Sequence, residues 1–123
     1  MILVVDDESA VRATIARALA ALGYSVREAA DGPSALAIVH EEELTLVILD
    51  YVMPGMDGAE VARAIAAVAP DLPIVFSTGH AALRALRAVA GEDVEVLEKP
   101  FTLDELDTLL RERLSERRRA RIA

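Results

Sequence analysis

The sequence predicts an α/β fold, a doubly wound parallel sheet of five strands in the order 2-1-3-4-5 with five helices. Three observations predict it. First, short apolar runs alternate with segments of helical period along the 123 residues, the pattern of a parallel sheet joined by right-handed crossovers. Second, the runs differ in kind: Ile2–Val5, Leu46–Asp50 and Pro73–Thr78 are apolar nearly throughout, as strands covered on both faces are, whereas Tyr24–Ala29 and Val94–Glu98 partly alternate. The first three belong in the middle of the sheet and the other two at its edges. Third, two of the central runs end in carboxylates, Asp6-Asp7 and Asp50, and the doubly wound order places its switch point between those two strands.

Each element follows from local chemistry. Ile2–Val5 opens into the acidic loop Asp6-Asp7-Glu8. From Ser9 the period turns helical, with Val11, Ile15, Ala18, Leu19 and Leu22 on one face and Arg12 and Arg17 away from it, until Gly23 supplies a C′ residue. After the half-exposed second strand, Asp31-Gly32-Pro33 is a turn whose proline suits the first position of a helix running to about Glu42. Leu46–Asp50 is too short for a helix, and Met53-Pro54-Gly55 and Asp57-Gly58 after it are loop residues that lead away from the strand's carboxyl end. A third helix spans about 59 to 69 and stops at Pro70. Gly79 breaks the fourth strand, and a short Ala-rich helix with Leu83 and Leu86 follows. Beyond the fifth strand and Lys99-Pro100, Thr102-Leu103-Asp104-Glu105 fits a capping box, and leucines 103, 106, 110 and 114 make a stripe on the last helix.

Composition narrows the chemistry. Hydrophobic residues are 54% of the chain but aromatics only 3%, so the core is aliphatic. The absence of cysteine excludes disulfides, thiolate metal sites and cysteine nucleophiles. A net charge of −8 argues against direct nucleic-acid binding, which depends on neutralising phosphates. No run approaches the roughly 20 apolar residues of a membrane span, and none has the form of a signal peptide, so a cytoplasmic location without membrane contact is expected. Met1 abuts the first strand, which fits a natural start or a module of a longer chain equally well.

At the switch point Asp6, Asp7 and Asp50 converge, and carboxylates so placed repel one another unless a cation is present. An all-oxygen ligand set selects a hard ion, most simply Mg²⁺; a solvated acidic turn is the plainer alternative for Asp6-Asp7-Glu8 alone. Lys99 is the only lysine among 13 basic residues, and at the carboxyl end of the fifth strand it offers a compact charge to a phosphate. Thr78, at the end of the fourth strand, brings a hydroxyl to the same rim. A carboxylate nucleophile, a divalent cation, a lysine and a hydroxyl together suit phosphoryl transfer onto an aspartate.

These residues, with Met53-Pro54, Asp57-Gly58 and Lys99-Pro100-Phe101, resemble the signature of the receiver domain of two-component response regulators, a domain of the flavodoxin-like fold. The resemblance implies that Asp50 accepts phosphate from a histidine kinase or a histidine phosphotransfer protein. It implies that Asp7, Asp50 and the carbonyl of Val52 bind Mg²⁺, with Asp6 acting through water, and that Thr78 and Lys99 contact the phosphoryl oxygens. It also implies a cis Lys99–Pro100 bond and a downstream protein target on the face formed by the fourth helix, fifth strand and fifth helix. One position departs from the family: three residues before the lysine, where Tyr or Phe usually stands as a rotating switch, this chain has Val96. The Thr78-Gly79-His80 sequence is similar instead to single-domain regulators and receivers attached to hybrid kinases.

The receiver is expected over residues 1–116, with 117–123 a basic tail or helix extension carrying Arg117, Arg118, Arg119 and Arg121. His40 is expected at the surface, and His80 either at the surface or near the phosphoryl group. Two other functions compete: an unphosphorylated interaction module of the same fold, against which the complete acidic set and Lys99 argue, and a hydrolase working through an aspartyl phosphate, against which the lack of any cap to enclose a substrate argues.

Overall fold

The computed structural model describes residues 1–55 and 57–122, with side chains described through Ser115. The elements are β1 (Ile2–Val5), α1 (Ser9–Ala21), β2 (Val26–Ala29), α2 (Gly32–Glu41), β3 (Leu46–Asp50), α3 (Gly58–Val68), β4 (Ile74–Gly79), α4 (His80–Ala90), β5 (Val96–Lys99) and α5 (Leu103–Ile122). All strand pairs are parallel and the order is β2-β1-β3-β4-β5, as the exposure of the runs predicts. Every residue of β1 and β3 is buried. The strands alternate sides, so that Leu3, Val5, Val47, Leu49 and Phe76 pack toward α2, α3 and α4, while Ile2, Val4, Leu46, Ile48, Val75 and Leu97 pack toward α1 and α5. That alternation decides which face of the sheet each rim residue occupies.

Helix ends follow their capping chemistry. Asp31 accepts the amide of Ser34 and Asp57 that of Glu60, each at 2.8 Å. Thr102 and Glu105 exchange bonds as a capping box, with Thr102 Oγ1 accepting from Glu105 N at 3.1 Å and Glu105 Oε1 accepting from Thr102 N at 3.4 Å. Gly23 ends α1 at φ +97°, a conformation that a Cβ disfavours.

Several boundaries shift. The edge strands begin two residues later than their alternation suggests, at Val26 and Val96, because an edge strand has a partner on one side only. Pro33 is the second helical residue of α2, after Gly32. The fourth helix is not short: α4 has 11 residues, as many as α3. Leu103 is half exposed at the start of α5, so the buried stripe is Leu106 and Leu110, with Leu114 partly buried. Arg12 lies away from the apolar face but is not merely solvated, since it donates to the carbonyl of Asp6 at 2.7 Å and to Glu28 Oε1 at 3.3 Å.

Candidate functional site

The carboxyl ends of β1, β3 and β5 bring the acidic cluster and the lysine together. One oxygen each from Asp6, Asp7 and Asp50 lies within 4.8 Å of the others. Asp6 is 1% exposed and Asp50 6%, while Asp7 faces solvent. Asp6 Oδ1 accepts the amide of Glu8 at 2.9 Å, which sets the turn out of β1. Lys99 crosses from β5, donating to Asp6 Oδ2 at 3.0 Å and standing 3.8 Å from Asp50 Oδ1. Asp50 Oδ1 also accepts the amide of Val52 at 3.2 Å. The Lys99–Pro100 bond is cis, as the resemblance implies.

Burial pushes the Asp50 carboxyl up from the ordinary 3.8 to about 6. Lys99 and the Val52 amide oppose that rise, while the charges of Asp6 and Asp7 add to it. Three carboxylates and one ammonium leave an excess of two negative charges, which a divalent cation matches. The donors are all oxygen, and the exposure of Asp7 leaves a side open to water ligands, so the set fits Mg²⁺.

Gly58 fixes the loop that leaves Asp50. Its amide donates to the Tyr51 carbonyl at 2.8 Å, and a Cβ on it would meet Asp50 O at 2.5 Å and Tyr51 Cα at 2.6 Å. Only glycine lets α3 start this close to the strand end.

Thr78 is 1% exposed and its hydroxyl has no hydrogen-bond partner among the described residues. By strand alternation it shares the side of Phe76, toward α3 and α4, rather than that of Asp50. Val96 lies beside Phe76 in the sheet and is partly buried against the same cluster. His80 is exposed on α4 with Nδ1 2.9 Å from Glu98 Oε1, and His40 is exposed near the end of α2, at the surface as expected. Two residues of the site escape the sequence reading. Arg12 anchors the Asp6 backbone without any pattern that announces it, and Ser77 stands in register with Asp50. Beside Lys99, α1 and the start of α5 enclose an apolar groove of about 720 Å³, lined in part by Val11, Thr14 and Phe101. No described helix is long and apolar enough to cross a membrane.

The similarities to known proteins converge on one family. The profile of the response regulator receiver domain matches residues 2–111. Response regulator MprA of Mycolicibacterium vanbaalenii is 43% identical over 108 residues, covering 85% of this chain and 46% of that protein. The chain thus spans about half the length of the curated relatives it matches. Among solved structures, the receiver domain of NtrX from Brucella abortus superposes with a TM-score of 0.86 at 33% identity, over 94% of this chain and 98% of that one. A CheY-like receiver domain protein from Methanospirillum hungatei gives 0.85 at 29% identity, over 97% and 96%. With its sheet order, acidic rim and cis Lys99–Pro100 bond in place, the chain belongs to the response regulator receiver domain family of two-component signalling.

Proposed function

We propose that this receiver carries its signal as a phosphoryl group on Asp50, taken from a histidine kinase or histidine phosphotransfer protein. The observation that carries the reading is the position of Asp50: nearly buried, at a strand end, within reach of both Asp7 and Lys99. A carboxylate oxygen of Asp50 attacks the donor's phosphorus, the phosphorus–nitrogen bond breaks as the new phosphorus–oxygen bond forms, and the imidazole leaves with the bonding pair. Asp7, Asp50 and the Val52 carbonyl would hold Mg²⁺, with Asp6 acting through water; the ion supplies charge that offsets the phosphoryl oxygens. Lys99 leaves Asp6 to meet the phosphoryl group, and Thr78, whose hydroxyl has no partner to lose among the described residues, is drawn to it across the strand end by a backbone change that Gly79 permits. In this way the chain assists both its own phosphorylation and its dephosphorylation without being an enzyme toward a separate substrate.

The apolar groove beside Lys99 supports a docking donor, since a protein approaching Asp50 over α1 covers it. A downstream partner reads the face of α4, β5 and α5. Residues 1–116 form the receiver and 117–123 a basic tail, of which residues 117–122 continue α5 and the arginine side chains lie outside the described residues; a cytoplasmic site of action accords with this reading.

Incubation with acetyl phosphate and Mg²⁺ should add one phosphoryl mass, and Asp50→Asn should abolish it. Labelling of the asparagine variant at wild-type yield overturns the assignment.

A further inference from the structure

Ser77 is 1% exposed, and its hydroxyl has no hydrogen-bond partner among the described residues. A buried hydroxyl without a partner costs about 1–3 kcal/mol, so a site that keeps one has a use for it or another state in which it is satisfied. The sheet shows where that use lies. Ser77 is the direct register partner of Asp50 across β3 and β4. Neighbouring residues in register share a face, and here the face is the one toward α1 and α5: Ile48 and Asp50 alternate on β3, Val75 and Ser77 on β4, Leu97 and Lys99 on β5. Thr78 falls on the other side. Ser77 is therefore the polar residue of β4 on the face of Asp50, where Lys99 already meets Asp6, and the serine hydroxyl is not hydrogen-bonded to the Asp50 carboxyl in this state.

Resting on the reading of Asp50 as the phosphoacceptor, we infer that Ser77 is a positioning residue for that carboxyl, turning its hydroxyl to it when the Lys99 ammonium beside it moves to the phosphoryl group. Before phosphorylation Lys99 donates to Asp6 and stands 3.8 Å from Asp50 Oδ1 as a neighbouring charge, and among the described residues the Val52 amide is the hydrogen-bond donor to the Asp50 carboxyl. When Lys99 departs, the near-buried acyl group loses that neighbouring charge and keeps the Val52 amide as its donor. A serine hydroxyl rotates about a single χ1 torsion among three staggered positions without moving the backbone, and from the neighbouring strand it can take the vacated place. It holds the carboxyl plane so that one oxygen stays directed at the incoming phosphorus. No bond of the serine is made or broken in the transfer.

Three variants separate this role from packing. Ser77→Ala removes the hydroxyl, while Ser77→Thr and Ser77→Val match each other in volume and differ in possessing it. The rate of Asp50 phosphorylation by acetyl phosphate with Mg²⁺ is measured against donor concentration, and thermal stability is measured alongside. The limiting rate should fall about tenfold in Ser77→Ala and Ser77→Val, the ordinary weight of one hydrogen bond to a charged group. The half-saturating donor concentration should stay unchanged. Ser77→Thr should restore the rate. Stability of Ser77→Ala should be equal to or above wild type, because an unsatisfied buried group is gone. A Ser77→Ala limiting rate equal to wild type overturns the inference, as does a loss that tracks lowered stability and is not restored by threonine. Failure of the wild-type chain to acquire phosphate at Asp50 overturns instead the phosphoacceptor reading, and this inference with it.

Discussion

Helices α3 and α4 leave neighbouring strands at the same rim and have the same length of 11 residues, yet they are held differently. α3 buries Gly58, Ala59, Val61 and Ile65, is capped by Asp57, and starts in van der Waals contact with the backbone of Asp50. α4 buries Leu86 alone, lacks a side-chain cap, leaves Val89 56% exposed, and begins at an exposed His80–Glu98 pair. An exposed pair of that kind contributes on the order of 0–1 kcal/mol. Local opening is easiest where few apolar contacts hold an element. A change at Asp50 is thus expected to leave α3 in place and to be expressed in α4. Val96 fits the same division, being a partly buried valine whose complete burial is worth only roughly 1.5–3 kcal/mol, too little for a side chain that must alternate between two states.

The largest effect that tests the comparison comes from truncating each helix's deepest residue. Ile65→Ala should lower the free energy of unfolding by about 2–5 kcal/mol, as a cavity in a fixed core does. Leu86→Ala should cost less globally, because α4 can detach, while amide exchange accelerates along residues 80–90. Equal global losses and unchanged exchange in α4 would show that the two helices are held alike.

Next in size is the charge on the rim to which both helices connect. The Asp50 pKa is raised in the folded state to about 6, so the folded protein retains a proton that the unfolded chain has lost between about pH 4 and 6. Metal-free stability should therefore fall as pH rises through that window and level off above it. Asp50→Asn should remove the slope and, at pH 7.5, raise metal-free stability by about 1–3 kcal/mol. Mg²⁺ at roughly 100 times its Kd should add about 2.7 kcal/mol to the wild type, and Asp7→Asn should forfeit most of that gain. Thermal melts across pH and Mg²⁺ concentration measure both; a flat profile with no benefit from asparagine would mean the carboxylates do not share a site.

The smallest effect concerns response rather than stability. Gly79, which caps α4, has φ −77° and open space where a Cβ would stand, so valine fits there in the resting state and restricts only what the backbone does next. Gly79→Val should weaken a partner's response to phosphorylation more than Val96→Ala does, with phosphorylation itself retained. With beryllofluoride bound, amide exchange should change across residues 78–90. A change confined to β5 would place the switch there instead.

What the sequence made legible depended on how local the cause was. β1 and β3 are covered on both faces, so their burial is written as continuous apolar runs, and the capping box at Thr102 and Glu105 is a spacing of three residues. The length of α4 was hidden because alanines support a helix without marking which side is packed. Leu103 fits the leucine period yet is half exposed, because it lines the open groove between α1 and the start of α5. Ser77 was hidden for a deeper reason: a small residue in an apolar strand carries no signal until the register sets it opposite Asp50, and register is a property of two strands 27 positions apart. Lys99, by contrast, was conspicuous through rarity alone.

That rarity makes the chain its own instrument. Lys99 is the single side-chain amine in the sequence, it is 26% exposed, and it sits against Asp6 and Asp50. Reductive methylation with isotope-labelled formaldehyde would introduce one internal ¹³C reporter, distinct from the α-amino group and still cationic. The whole history of the rim, from carboxylate pair to metal to acyl phosphate, would then be recorded in the chemical shift of one resonance.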